Sequence, residues 1–334
     1  MKQKPLLLTI AMLLFAVGTY SQACGTRVLD PQIAYFLKIV GYKDQTLEQL
    51  RSTPIEQLKY PQFPLIPYPK EDVQRLKITS DSISVLVFNP LHKENLPVII
   101  HYHGGGFISP LVQGLEYSLW QDAKTYGAIV FAVDYRVAPE HRFPAAVDDS
   151  YKAFKWISQN AQLFGGDTSQ LILMGNSAGA NLVAVITQRA KKENTSSPIK
   201  LQVLNGLPAD LRPENMEKSV SYQQNALGYF QTKAMCYFAV ENYAPDQFND
   251  PEVSPILGKD FKGLPPAVII NAEFDPLRED GVLYAEKLRN AGVKVWEKCF
   301  AGQIHCLIGL MPGAEPLKEF ERIVKSSMNE CLGK

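Results

Sequence analysis

Apolar residues along this chain gather into short continuous runs separated by stretches of helical spacing. Pro97-Val98-Ile99-Ile100-His101-Tyr102, Ala128 to Asp134, Leu171 to Met174, Leu201 to Leu207, Ala267 to Asn271 and Val293 to Phe300 have the length and β-rich content of buried strands. Ser82-Ile83-Ser84-Val85 alternates polar and apolar before Leu86 to Phe88 turns continuously apolar, so the sheet is expected to start there with a half-exposed strand. Asp148 to Gln159 carries Ala153, Trp156 and Ile157 at helical spacing, and helices are also read over Leu277 to Asn290, with Gly292 as a stop, and around Leu317 to Met328. Strands alternating with helices predict an α/β domain.

Two segments break the alternation. From Val28 to about Pro69 the chain is helix-friendly but interrupted: Ala34 to Val40, then Thr46 to Arg51, where Thr46 and Gln49 resemble a capping box, then a proline-rich run from Pro61 to Pro69. From Pro208 to Lys262 the strands stop, and Ala226 to Tyr243 reads as a helix rich in Tyr, Phe and Met. Both are read as parts of a cap; the aromatic face of the second either lines a pocket or packs the domain. The expected organisation is a processing signal over 1–23, a cap segment over 24–75, core over 76–207, a cap insertion over 208–262 and the rest of the core over 263–334. No internal repeat or low-complexity tract is present.

The run Leu171 to Met174 breaks into Gly175-Asn176-Ser177-Ala178-Gly179 and continues as helix-compatible sequence. A strand entering a helix through one sharp turn strains its central residue and leaves room only for small neighbours, so the pattern predicts a nucleophile elbow presenting the Ser177 hydroxyl. Gly-x-Ser-x-Gly also occurs in ordinary loops; the strand before it and the helix after it select the elbow. A serine hydroxyl needs a base to take its proton, and the base needs a group to orient it. In this architecture the order is serine, acid, histidine, and His305 is the only histidine after Ser177. For the acid, Asp275 follows a buried-strand run and precedes a helix; Glu279 and Asp280 are rivals that fit the first turn of that helix better.

His103-Gly104-Gly105-Gly106-Phe107 follows directly on a strand. Three glycines in succession mark backbone that must come close to something, which in acyl transfer is the oxyanion. Asp134 to Ala146 is dense in charge and proline and is read as a structural, ion-paired loop, with His141 no candidate for the base.

Lys and Arg total 34, as do Asp and Glu, so the net charge of zero removes the basic footprint of a nucleic-acid binder. Lys2 and Lys4, an apolar run from Leu6 to Val17 and small or polar residues to Ala23 read as an export signal cut after Ala23 or Ser21, too short for a transmembrane span. The protein is therefore expected to be periplasmic or secreted. Cys24 stands where a bacterial lipoprotein is acylated, but Ser21 and Gln22 match that motif poorly, so lipidation is the lesser alternative. Cys236, Cys299, Cys306 and Cys331 either pair in one of three ways, leaving Cys24 over, or stay as buried thiols. Asn194-Thr195-Ser196 matches a glycosylation sequon, a motif short enough to be incidental, and no Cys/His spacing suggests zinc.

These blocks together resemble the hormone-sensitive-lipase-like carboxylesterases of the α/β-hydrolase superfamily. The likeness runs from Leu29-Asp30-Pro31 through His103-Gly104-Gly105-Gly106-Phe107, Asp134-Tyr135-Arg136-Val137-Ala138-Pro139-Glu140, Gly175-Asn176-Ser177-Ala178-Gly179 and Gly263-Leu264-Pro265-Pro266-Ala267 to Glu273-Phe274-Asp275-Pro276-Leu277-Arg278. It implies a mostly parallel central sheet flanked by helices, a two-part helical cap, a triad of Ser177, Asp275 and His305, and an oxyanion hole from the amides of Gly105, Gly106 and Ala178. It also implies hydrolysis of short- to medium-chain acyl esters without cofactor or metal. Two positions depart from the family pattern: Asn176 replaces the usual Asp, and Cys306-Leu307 replaces the Gly-Phe that usually follows the histidine. A ligand-binding scaffold without turnover, and an amidase or peptidase on the same triad, are the alternatives.

Overall fold

A computed structural model of the chain describes residues 24–59, 65–78, 83–193 and 199–334. The signal read over 1–23, the sequon at 194–196 and part of the proline run lie outside the described residues. The described strands are β1 (Val73–Ile78), β2 (Ile83–Phe88), β3 (Leu96–Tyr102), β4 (Ile129–Asp134), β5 (Gly166–Asn176), β6 (Ile199–Asn205), β7 (Ala267–Phe274) and β8 (Val295–Ile304). The described helices are α1 (Pro31–Ile39), α2 (Leu47–Ser52), α3 (Ile55–Lys59), α4 (Glu116–Tyr126), α5 (Ala145–Asn160), α6 (Ala178–Lys192), α7 (Pro213–Lys218), α8 (Val220–Gln224), α9 (Lys233–Tyr243), α10 (Arg278–Asn290) and α11 (Glu315–Leu332).

One sheet runs in the order β1-β2-β4-β3-β5-β6-β7-β8, antiparallel from β1 to β4 and parallel from there to β8. Period-two alternation on fully apolar strands gives it two buried faces. Ile100, Phe131, Leu173, Leu204 and Ile269 meet Phe154, Leu182 and Leu288 on one side. Their neighbours Ile99, Val130, Ile172, Val203 and Val268 meet Leu119, Phe320 and Val324 on the other. Each such side chain, fully buried, contributes about 1.5–3 kcal/mol. The carboxyl ends of β3, β5, β6, β7 and β8 therefore share one edge on a rigid base.

β1 was not expected. Its sequence, Val-Gln-Arg-Leu-Lys-Ile, places only Ile78 in the core, and at the sheet edge the long polar side chains blur the alternation. The helix read over 226–243 begins only at Lys233, where Thr232 caps the Met235 N–H at 3.2 Å; left-handed Gly228 and Phe230 break the chain before it. α2, with the Thr46–Gln49 capping box in place, packs on α9 through Leu50 and Phe238, and Arg51 pairs with Glu241.

The cysteine expectation needs correction. Cys24 is bonded to Cys299, while Cys236, Cys306 and Cys331 are free thiols. The reason is the path of residues 24–30, which run beside β8: the Asp30 N–H donates to Gly302 O at 2.9 Å, and the Cα atoms of the two cysteines come to 5.6 Å. Among the described residues no helix is long and apolar enough to cross a membrane.

Candidate active site

β5 passes into α6 at Ser177, whose backbone (φ 54°, ψ −123°) lies far outside the usual regions for a residue with a side chain. The crossing is that tight because the flanking glycines leave no volume. A Cβ on Gly175 would lie 2.3 Å from Gly179 O, and one on Gly179 only 1.9 Å from Tyr102 O. The Ser177 carbonyl accepts from the Ala180 and Asn181 amides at 2.8 and 3.1 Å. A trans peptide points its N–H opposite its C=O, so the Ala178 N–H of that same peptide faces away from the helix. The Ser177 N–H donates to Asn205 O at 2.8 Å, tying the turn to the end of β6.

Asp275 follows β7 and His305 follows β8, and both are buried. His305 Nδ1 stands 2.7 Å from Asp275 Oδ2; the carboxylate can only accept, so Nδ1 carries the proton. The other Asp275 oxygen accepts from the Leu277 N–H at 2.9 Å. The two rivals are engaged elsewhere: Asp280 accepts from the Asp210 N–H and Asn215, and Glu279 from Ser219 and Ser221. Burial works to lower the His305 pKa, but the charge and hydrogen bond of Asp275, with Cys306 beside it, outweigh burial and hold it well above the ordinary histidine value.

Three glycines after β3 complete the edge. The Gly105 carbonyl accepts from the Ile108 and Ser109 amides, both at 3.0 Å, so the Gly106 N–H of the same peptide points the other way. Gly105 at φ 109° adopts a backbone closed to other residues, and a Cβ there would lie 2.6 Å from the Ser109 side chain. A Cβ on Gly104 would lie 3.3 Å from that of Ser177, which puts the glycine turn against the elbow. His103 braces the turn: its ring stacks on Tyr135 at 4.1 Å, its Nδ1–H donates to Gly104 O at 2.8 Å, and its own carbonyl accepts the Tyr135 hydroxyl. Burial pushes His103 down to about 4 and His101 to about 3, so both are neutral and hold the turn without charge. α9 roofs it, with Phe107 stacked on Tyr243 at 3.8 Å and Ala239 Cβ 3.2 Å from the Cβ position of Gly106.

Residues that the sequence did not single out support this edge. Asn205 supplies the carbonyl beneath Ser177 and donates through Nδ2 to Asn176 Oδ1 at 3.1 Å, so Asn176 takes a neutral partner. Behind Asp275, Asn225 donates to the carbonyls of Glu273 and Asp275, and Arg27 joins Asn225 to Glu273. The loop after β4 is ion-paired, with Arg136 gripping buried Asp149 through Nε and Nη2 at 2.8 and 2.7 Å. A cleft of about 370 Å³ lies beside that loop, between Lys59, Tyr135, Arg136 and His141, and contains none of Ser177, Asp275 or His305. Among the described residues no group of three or more His, Cys, Asp or Glu is arranged to hold a metal.

Residues 99–309 match the family model described as the alpha/beta hydrolase fold. An arylesterase of Saccharolobus solfataricus is 27% identical over 290 residues, 84% of this chain and 92% of that protein. Carboxylesterase NlhH of Mycobacterium tuberculosis is 37% identical over 211 residues, 62% of this chain and 65% of that protein. Among solved structures, an esterase of Pyrobaculum calidifontis superposes with a TM-score of 0.76 at 31% identity, covering 90% of this chain and 98% of that one.

Proposed function

Since this chain belongs to the α/β-hydrolase fold family, in its hormone-sensitive-lipase-like carboxylesterase branch, we propose that it hydrolyses carboxylic esters of short to medium acyl chains through Ser177, His305 and Asp275. The observation that carries the reading is the buried 2.7 Å contact between His305 and Asp275 at the same sheet edge as a strained Ser177. Ser177 Oγ attacks the ester carbonyl as His305 Nε2 takes its proton, and Asp275 stabilises the imidazolium that forms. The oxyanion is received by the amides of Gly105, Gly106 and Ala178, each donor worth about 3 kcal/mol in the transition state. Collapse expels the alcohol, which receives its proton from His305 and leaves an acyl-serine; water then attacks it with His305 again as base. The residues of this chain supply every step, without metal or cofactor. The close roof of α9 over Gly106 supports acyl groups of modest length. Release of p-nitrophenol from p-nitrophenyl acetate tests the reading. The parent should turn over and Ser177→Ala should fall to the uncatalysed rate, whereas equal rates in the two would reject it.

We further infer export and release. The basic and apolar start of the chain supports export, and so does the Cys24–Cys299 bond, of a kind that persists in oxidising compartments. A sulfur held in that bond carries no acyl thioether, which supports an unlipidated Cys24. Intact mass of the exported protein should fit an unlipidated chain cut near Ala23; a diacylglyceryl mass increment would contradict this.

A further inference from the structure

Just past the base, two consecutive residues with side chains, Cys306 (φ 55°, ψ 22°) and Leu307 (φ 58°), occupy left-handed backbone. Such conformations are costly for L residues and persist where their surroundings compensate. Leu307 is buried, which anchors the turn, and Cys306 is half-buried with its sulfur turned toward the histidine. Its Sγ stands 3.4 Å from His305 Nε2 and 3.5 Å from Asn205 O. Gly206 closes the other side, since a Cβ there would lie 2.8 Å from both the sulfur and His305 Cε1. One carbonyl, that of Asn205, thus accepts from the backbone of Ser177 and from the thiol that touches the histidine.

We propose that Cys306 is a positioning residue for His305, holding Nε2 whenever that nitrogen is not exchanging a proton with Ser177. The inference rests on the reading of His305 as the base. Asp275 fixes only Nδ1, so the far nitrogen needs a partner of its own. A thiol suits both protonation states of the far nitrogen: its sulfur accepts from Nε2–H while its one proton goes to Asn205 O, and that same proton turns to Nε2 when the nitrogen is bare. Asp275 faces the ring from the end of β7 and Cys306 from its own turn, while Gly206 brings no charge. A serine hydroxyl shares the thiol's dual character; alanine and glycine lack it.

The test is steady-state kinetics on p-nitrophenyl acetate for Cys306→Gly, Cys306→Ala and Cys306→Ser, with thermal melting of each. Glycine relieves the left-handed backbone, so Cys306→Gly should melt no lower than the parent and a loss of rate in it is not a loss of fold. Losing one hydrogen bond of ordinary worth predicts kcat about tenfold lower in the Gly and Ala variants, with KM within about twofold and the Ser variant recovering most of the rate. Unchanged or raised kcat in Cys306→Gly, a change confined to KM, or a Ser variant as slow as Ala would overturn the proposal. A parent inactive on esters would instead remove the ester-hydrolase reading itself.

Discussion

In Gly179→Ala the new methyl would stand 1.9 Å from Tyr102 O and 2.6 Å from His103 O. Contacts of this kind stay beyond 3.0 Å, so at least 1.1 Å must be found. Both obstacles are backbone, and Tyr102 ends β3 in the middle of the sheet, between β4 and β5, where it cannot yield. α6 must therefore retreat and carry with it the Ala178 amide and the Ser177 hydroxyl, while the glycine turn after β3 stays where it is. A misplacement of about 1 Å at reacting atoms costs about 100-fold in rate. Overpacking the crossing costs about 3 kcal/mol, which in a chain of this size lowers Tm by about 5 °C. Hydrolysis of p-nitrophenyl acetate at saturating substrate, with calorimetry on the same samples, measures both. A variant that keeps kcat within threefold of the parent would refute the claim that this crossing sets the position of the nucleophile.

Because Asp275 holds the proton on His305 and activity needs the neutral ring, kcat/KM should climb through the alkaline side of ordinary histidine titration. A profile already flat from pH 6 would contradict this. The same raised pKa stabilises the fold below the ordinary histidine value, a contribution lost as pH rises through the raised one, so Tm should fall across that window by more in the parent than in Asp275→Asn. Asp275→Asn should lower kcat by about 10⁴ through the wrong imidazole tautomer, read in the same ester assay; a loss under tenfold would exclude Asp275 as the orienting acid. The Cys24–Cys299 bond closes a loop with a sequence separation of 275 residues, for which chain entropy sets a ceiling of about 5–6 kcal/mol. Reduction with dithiothreitol, or the Cys24→Ser and Cys299→Ser pair, should lower Tm by several degrees, and an unchanged melt would show that the strap is held without it.

What could be read from the chain itself was local. The pentapeptide around Ser177 predicts its own strained turn, since Gly175 and Gly179 are demanded by contacts a few residues away or by the neighbouring strand. Asp275 and His305 were locatable because each follows an apolar strand run, and the sheet edge brings such ends together. The Cys24–Cys299 partnership and the bracing of Glu273 by Arg27 left no such trace, because pairings 275 and 246 residues apart depend on where the N-terminal strap is laid. β1 escaped because an edge strand with Gln74, Arg75 and Lys77 need not alternate cleanly. α9 starts later than the aromatic-rich run from Ala226 suggests, because Gly228 and Phe230 take left-handed backbone before it. Cys306 stood out in the sequence as an unusual residue after the histidine, yet its contact with Nε2 comes from a left-handed backbone that no residue pattern announced.

The nucleophile is tested most directly by a p-nitrophenyl alkylphosphonate, which reacts only with a serine activated by its base and received by an oxyanion site. Intact mass followed by peptide mapping should show one phosphonyl group, on Ser177 alone, forming in step with loss of esterase activity and absent from Ser177→Ala and His305→Ala. An enzyme that stays active while unlabelled, or one labelled at another residue, would contradict the account.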